Sequence, residues 1–63
     1  MSDKPILKLV GEDGNAFSIM GRASQVARRH GWSKEKIDAM IAEMTSGDYD
    51  HLLQTCFKYF DVE

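Results

Sequence analysis

Apolar positions change their spacing along the chain. Ile6-Leu7-Lys8-Leu9-Val10 is nearly continuous apolar sequence, the pattern of a strand that is covered. Pro5 lacks a backbone donor and fits the first position of such a strand. Gly11-Glu12-Asp13-Gly14-Asn15 then supplies turn chemistry, two glycines and acidic or amide side chains. From Ala16 the spacing becomes helical: Ala16, Ile19, Met20, Ala23, Val26 and Ala27 recur on one stripe, with Phe17 at its edge. A second helical stripe runs through Ile37, Met40, Ile41 and Met44. A third takes Tyr49, Leu52, Leu53, Cys56, Phe57 and Phe60 as its apolar face.

Each helix carries its own boundary signals. Asn15, Ser33 and Asp48 are N-cap residues, whose side-chain oxygens accept from the free amides of a first turn. Trp32 before the second cap and Ile37 four positions into the helix form a hydrophobic staple. Gly31 stops the first helix, with Arg28, Arg29 and His30 in the last turn where positive charge suits the dipole. Thr45-Ser46-Gly47 stops the second. The third is expected to run to about Tyr59 and continue as extended chain, with residues 57–63 ending as helix or as a strand beside Ile6–Val10. The fold class is therefore α+β. Residues 1–63 form a small single domain: an N-terminal β-strand, three short helices and a short C-terminal extended segment or strand. Met1 to Lys4 is polar and expected to be loose.

Length bears on stability. A chain of 63 residues buries only about 60% of the surface it exposes unfolded. Natural proteins of this size add disulfides, metals or partner subunits. Cys56 is the one cysteine, so no internal disulfide forms, and a lone thiol in an apolar stretch suits a reducing cytoplasm. His30, His51 and Cys56 do not have ligand spacing, so neither metal nor cofactor is expected. Self-association is the expected support: two strands alone make a poor sheet, and pairing the edge of Ile6–Val10 with a second copy would bury it.

Charge and hydropathy exclude other classes. Net charge is −2, against the clearly basic footprint of nucleic-acid binders. The start, MSDKPILKLV, reads as no signal peptide, because its apolar run is short and broken by Lys8. No run approaches the roughly 18 apolar residues of a membrane span. A soluble, cytoplasmic protein is expected.

Three stretches invite chemistry. In Val26–Ile37, Ala27, Gly31 and Ile37 match a helix-turn-helix turn. Lys34 and Lys36 would then sit where bases are contacted, and Arg22, Arg28 and Arg29 could reach phosphates. Against this, His30 and Trp32 replace the smaller residues of such turns, and the second helix becomes acidic at Glu35, Asp38 and Glu43. Gly11–Asn15 lacks the ligand pattern of a calcium loop and the Gly-Lys-Ser/Thr ending of a phosphate loop. Asp48, Asp50 and His51 could do acid–base work, but successive helix-start positions point apart. Cys56 lies among apolar residues, and His51 five positions back is off its helix face, so a buried structural thiol is expected. Met20, Met40 and Met44 read as core fillers, although methionine also serves adaptable binding surfaces.

Two blocks, GEDGNAFSIMGRASQVARRHG (Gly11 to Gly31) and TSGDYDHLLQTCFKYFDVE (Thr45 to Glu63), together resemble a group of small proteins of bacterial genomes, prophages and phages. That group is similar in its Gly-x-Asp-Gly-Asn-x-Phe turn, its Ser-Gly-x-Tyr-Asp block and its aromatic-acidic tail. The matching positions are Gly11, Asp13, Gly14, Asn15, Phe17, Gly21, Ser46, Gly47, Tyr49, Asp50 and Tyr59. The resemblance covers almost the whole chain and implies a setting, not an activity. The expectation is a non-enzymatic, self-associating accessory protein that occludes a host or phage protein through Phe17, Trp32 and Tyr49. The alternative is a helix-turn-helix DNA binder using Arg28, Arg29, Lys34 and Lys36.

Overall fold

The computed structural model describes residues 4–63; Met1–Asp3, part of the stretch expected to be loose, lies outside the described residues. The order is β1 (Ile6–Leu7), α1 (Ala16–Arg29), α2 (Lys34–Met44), α3 (Tyr49–Tyr59) and β2 (Asp61–Val62). The architecture is α+β, as the hydrophobic pattern implied. The three expected caps are in place. Asn15 accepts from the Phe17 amide, Ser33 from Lys36 and Asp48 from His51.

The corner between α1 and α2 is a Schellman cap. Trp32 N–H donates to Ala27 O at 3.1 Å and Gly31 N–H to Arg28 O at 3.1 Å. That pair of bonds requires a left-handed residue at Gly31, and its φ is 92°. The turn closing β1 makes the same demand: Glu12 N–H donates to Leu9 O at 3.2 Å, with Gly11 at φ 79° in the third position. At the end of α2 hydroxyls join the backbone donors. Thr45 Oγ1 reaches Ile41 O and Ala42 O and Ser46 Oγ donates to Glu43 O, beside the backbone bonds from Thr45 N–H to Ile41 O and from Ser46 N–H to Glu43 O.

β2 lies parallel to β1, Ile6 opposite Asp61 and Leu7 opposite Val62. Residues 57–63 therefore end helix first and strand after. The expected five-residue strand shortens to two, because beyond Leu7 the chain bends. Leu9 and Val10 both donate to the Glu63 carbonyl, at 2.7 and 3.0 Å, and Val10 enters the turn 74% exposed. Pro5, Leu7 and Leu9 turn their backbone groups toward β2. By strand alternation Ile6 and Lys8 turn theirs to the outer edge. Among the described residues neither has a backbone partner there.

Leu7, Ile19, Ala23, Ala27, Met40, Met44, Leu52, Cys56 and Phe60 form the core, drawn from β1, the three helices and the residue before β2. One position departs from the expected stripe of α3. Phe57 is 61% exposed, and Thr55 takes an inward place instead. Thr55 can be buried because its hydroxyl donates to His51 O at 2.8 Å. No helix of the described residues is long and apolar enough to cross a membrane.

Candidate functional site

The starts of α1 and α3 converge on one apolar groove. Its volume is about 280 Å³, and its lining includes Ala16, Phe17 and Met20 from α1, Met44 from α2, and Asp48, Tyr49 and Leu52 around the start of α3. Local sequence sets its walls. Asp13 Oδ1 accepts from the Asn15 amide at 3.0 Å and Oδ2 from the Ser18 hydroxyl at 3.2 Å. Asn15 in turn caps Phe17 N–H at 2.8 Å. This turn starts α1 one residue before Phe17, whose ring is left 80% exposed. Across the groove the Tyr49 hydroxyl donates to Gly14 O at 2.5 Å. The bond joins residues 35 apart and ties the start of α3 to the Gly-rich turn. Tyr49 is thus both an anchor and a surface, 46% exposed.

Phe17 and Tyr49, singled out from sequence, therefore meet at one site. Trp32 does not join them. It is half-buried at the α1–α2 corner, stacked on Phe60 and tilted against Tyr59. Met20 and Met44 line the groove, although their spacing assigned them to the core; Met44 belongs to both. Their residue type was the available signal, since methionine suits surfaces that adapt to a partner.

Three of the four cations of the helix-turn-helix reading gather around Trp32 at the α1–α2 corner, and Arg29 lies apart. Lys36 Nζ sits 4.1 Å from the Trp32 ring centroid, a cation–π contact. Arg28 and Lys34 border a shallow recess with Trp32, Ile37 and Asp38. Arg29 borders a different one, with Pro5, Ile6, Val26 and His30. Arg22 pairs with Glu12 at 3.1 Å.

The acid–base candidates are engaged locally. Asp48 Oδ1 accepts from His51 N–H at 3.0 Å. Ser46 Oγ lies 3.1 Å from His51 Nε2 and donates its proton to Glu43 O at 2.7 Å. With the hydroxyl proton on Glu43 O, the Ser46–His51 contact is satisfied by the tautomer that carries its proton on Nε2. Gly47 leaves no room here: a Cβ on it would come within 2.8 Å of His51 Cβ. The Cys56 thiol is buried in the core, and that burial pushes its pKa up. Among the described residues no three His, Cys, Asp or Glu side chains are placed to hold a metal.

One cluster had no signal in the spacing. Lys58 Nζ meets both Glu43 carboxylate oxygens, at 3.2 and 3.0 Å, and the Tyr59 hydroxyl donates to Glu43 Oε1 at 3.2 Å. The Lys58 hydrogen bond holds the Glu43 carboxyl below its ordinary range. The same bond raises Lys58, and Tyr59 is raised first by burial. These residues clamp α2 to α3 rather than face the groove.

No known protein family, curated protein or solved structure matches this chain.

Proposed function

We propose that this chain is a non-enzymatic protein-binding accessory protein, of phage or mobile-element origin, working in the cytoplasm through the groove between α1 and α3. The observation that carries the reading is the pairing of exposed Phe17 with half-open Tyr49 over an apolar floor. Aromatic side chains flanking a pocket are the anchors that dominate protein–protein contacts. The Tyr49 ring is held by its hydroxyl bond to Gly14 and the Phe17 backbone by the Asn15 cap, so binding reorganises little of the backbone around the groove.

Self-association belongs to the same proposal. The outer edge of β1 offers Ile6 and Lys8 backbone groups to a second copy, and a domain this small gains stability from one.

The test is affinity capture from a bacterial lysate with the wild type, Phe17→Ser and, as control, Phe57→Ser. Phe57 is equally apolar, 61% exposed and remote from the lining. The expected result is a protein retained by the wild type and Phe57→Ser and lost with Phe17→Ser. Duplex DNA is titrated in parallel. Salt-sensitive DNA affinity that disappears when Lys34 and Lys36 become Ala, with no Phe17-dependent capture, would overturn the proposal.

A further inference from the structure

The outer edge of β1 lies away from the groove between α1 and α3 and has its own chemistry. Ile6 and Lys8 turn their backbone groups outward there, and among the described residues neither has a backbone partner. Ile6 is 57% exposed, while Pro5 and Leu7 on either side of it are buried. An unpaired edge of this kind is a template for another strand.

The border of that edge is basic. An open hollow of about 510 Å³ runs between β1 and the C-terminal part of α1, lined by Lys4, Pro5, Ile6, Val26, Arg29 and His30. Among the described residues no aspartate or glutamate lines it. The Arg29 and His30 side chains are exposed and have no ion pair or hydrogen bond among the described residues. Lys8, exposed on the same edge, adds a further cation. The whole chain carries −2, so the positive charge here is local and runs against the molecule's average.

In strand addition, backbone bonds supply affinity and pockets beside the edge receive alternate side chains of the incoming segment. Pro5, Ile6 and Val26 offer this hollow an apolar surface, and Arg29 and His30 offer it donors. The guanidinium is a planar fork that matches a carboxylate with two parallel bonds. A second copy suits the same edge less well. A two-fold contact presents the same patch from both sides, so Lys8 and Arg29 would share the interface with their own copies.

We propose that the outer edge of β1 docks an extended acidic segment of a partner protein, which joins the sheet as a third strand, sets carboxylates at Arg29 and His30, and takes the place of a second copy.

The test uses the full chain and two capped eight-residue peptides that repeat two valines and two charged residues, so that each face alternates valine with charge. One peptide carries glutamate, the other lysine. Binding is followed by fluorescence anisotropy of a dye on the peptide and mapped by amide NMR shifts. The glutamate peptide is expected to bind at least tenfold tighter than the lysine peptide and to shift Ile6, Lys8 and residues 26–30. Strand addition uses only one edge of the peptide. Methylating the backbone nitrogens of alternate residues should therefore abolish binding for one set and spare it for the other. Arg29→Gln should weaken the glutamate peptide severalfold, and Arg29→Glu should reverse the preference between the two peptides. Lys34→Ala with Lys36→Ala should leave both affinities unchanged. A wild-type dimer should become a monomer carrying one peptide, read by light scattering. Equal affinities, equal loss from both methylated sets, shifts around Phe17 or Trp32 instead, no binding, or a dimer that persists with peptide bound would each overturn the proposal. A wild type that is monomeric from the start, with the glutamate peptide bound as stated, removes the self-pairing alone. Capture from lysate that depends on Phe17 reads the groove, so the two sites fail separately.

Discussion

Trp32 lies nearly flat against Phe60, with 5.4 Å between ring centroids and 12° between ring planes. The contact joins the Schellman corner after α1 to the residue that leads α3 into β2. Stacked aromatics contribute about 0.5–1.5 kcal/mol beyond their buried area. Trp32→Phe should therefore lose only part of what Trp32→Ala loses. For Ala the expected cost is about 3 kcal/mol, the low end for large aromatic truncations because Trp32 is half-buried. Urea melts followed by circular dichroism measure both, and equal costs would mean that the stacking contributes nothing.

Gly47 is fixed by a neighbour rather than by its backbone angle. Its missing Cβ would sit 2.8 Å from His51 Cβ and 2.9 Å from Cγ. These are the stem of the side chain, which has little room to yield. Gly47→Ala should cost about 1–3 kcal/mol by overpacking. Adding His51→Gly, which removes both the Cβ and the Cγ, should recover much of that loss beyond the cost of His51→Gly alone, a coupling that a double-mutant cycle reads directly. Additive costs would place the strain elsewhere.

The Glu43–Lys58 pair gives stability an acid-side dependence. Glu43 is held below its ordinary carboxylate range, chiefly by the Lys58 hydrogen bond. Its contribution is complete above the unfolded-state value and is lost as pH falls through the lower folded-state value. Glu43→Gln should flatten the fall in melting temperature across that acidic window relative to the wild type. Identical slopes for the two proteins would rule this contribution out.

Cys56 should react only when the protein opens. It is fully buried and its thiol is raised by burial, which lowers the reactive thiolate fraction. A thiol reagent should modify the folded protein slowly, at a rate that climbs with urea in step with unfolding. Rapid labelling without urea would show a path to the core that the packing does not contain.

Self-pairing along β1 has a simple probe. Ile6 is 57% exposed while Leu7 beside it is buried, so Ile6→Lys charges the outer edge without touching the core. Light scattering should give a dimer for the wild type and a monomer for the variant. A monomeric wild type, or a dimer unaffected by the change, would remove the β1 edge from the assembly.

Features closed within a few residues are legible in the amino-acid sequence alone. Asn15, Ser33 and Asp48 cap amides two or three positions ahead, and Gly31 ends α1 through bonds reaching back three to five residues. Such signals need only local geometry, so the order and limits of the three helices follow from the chain itself. The tertiary structure decided what lies far apart in sequence. It set β2 parallel to β1, with Glu63 N–H bonding Leu7 O across the whole chain. It turned Phe57 out and Thr55 in, because the packing of α3 chooses one of two adjacent rows on an apolar-rich helix. It joined Glu43 to Lys58 and Tyr59, which share no periodicity. It also brought Phe17 to Tyr49 and left Trp32 on Phe60: residue type marked all three as aromatic anchors, and only the fold determined which two border the same groove.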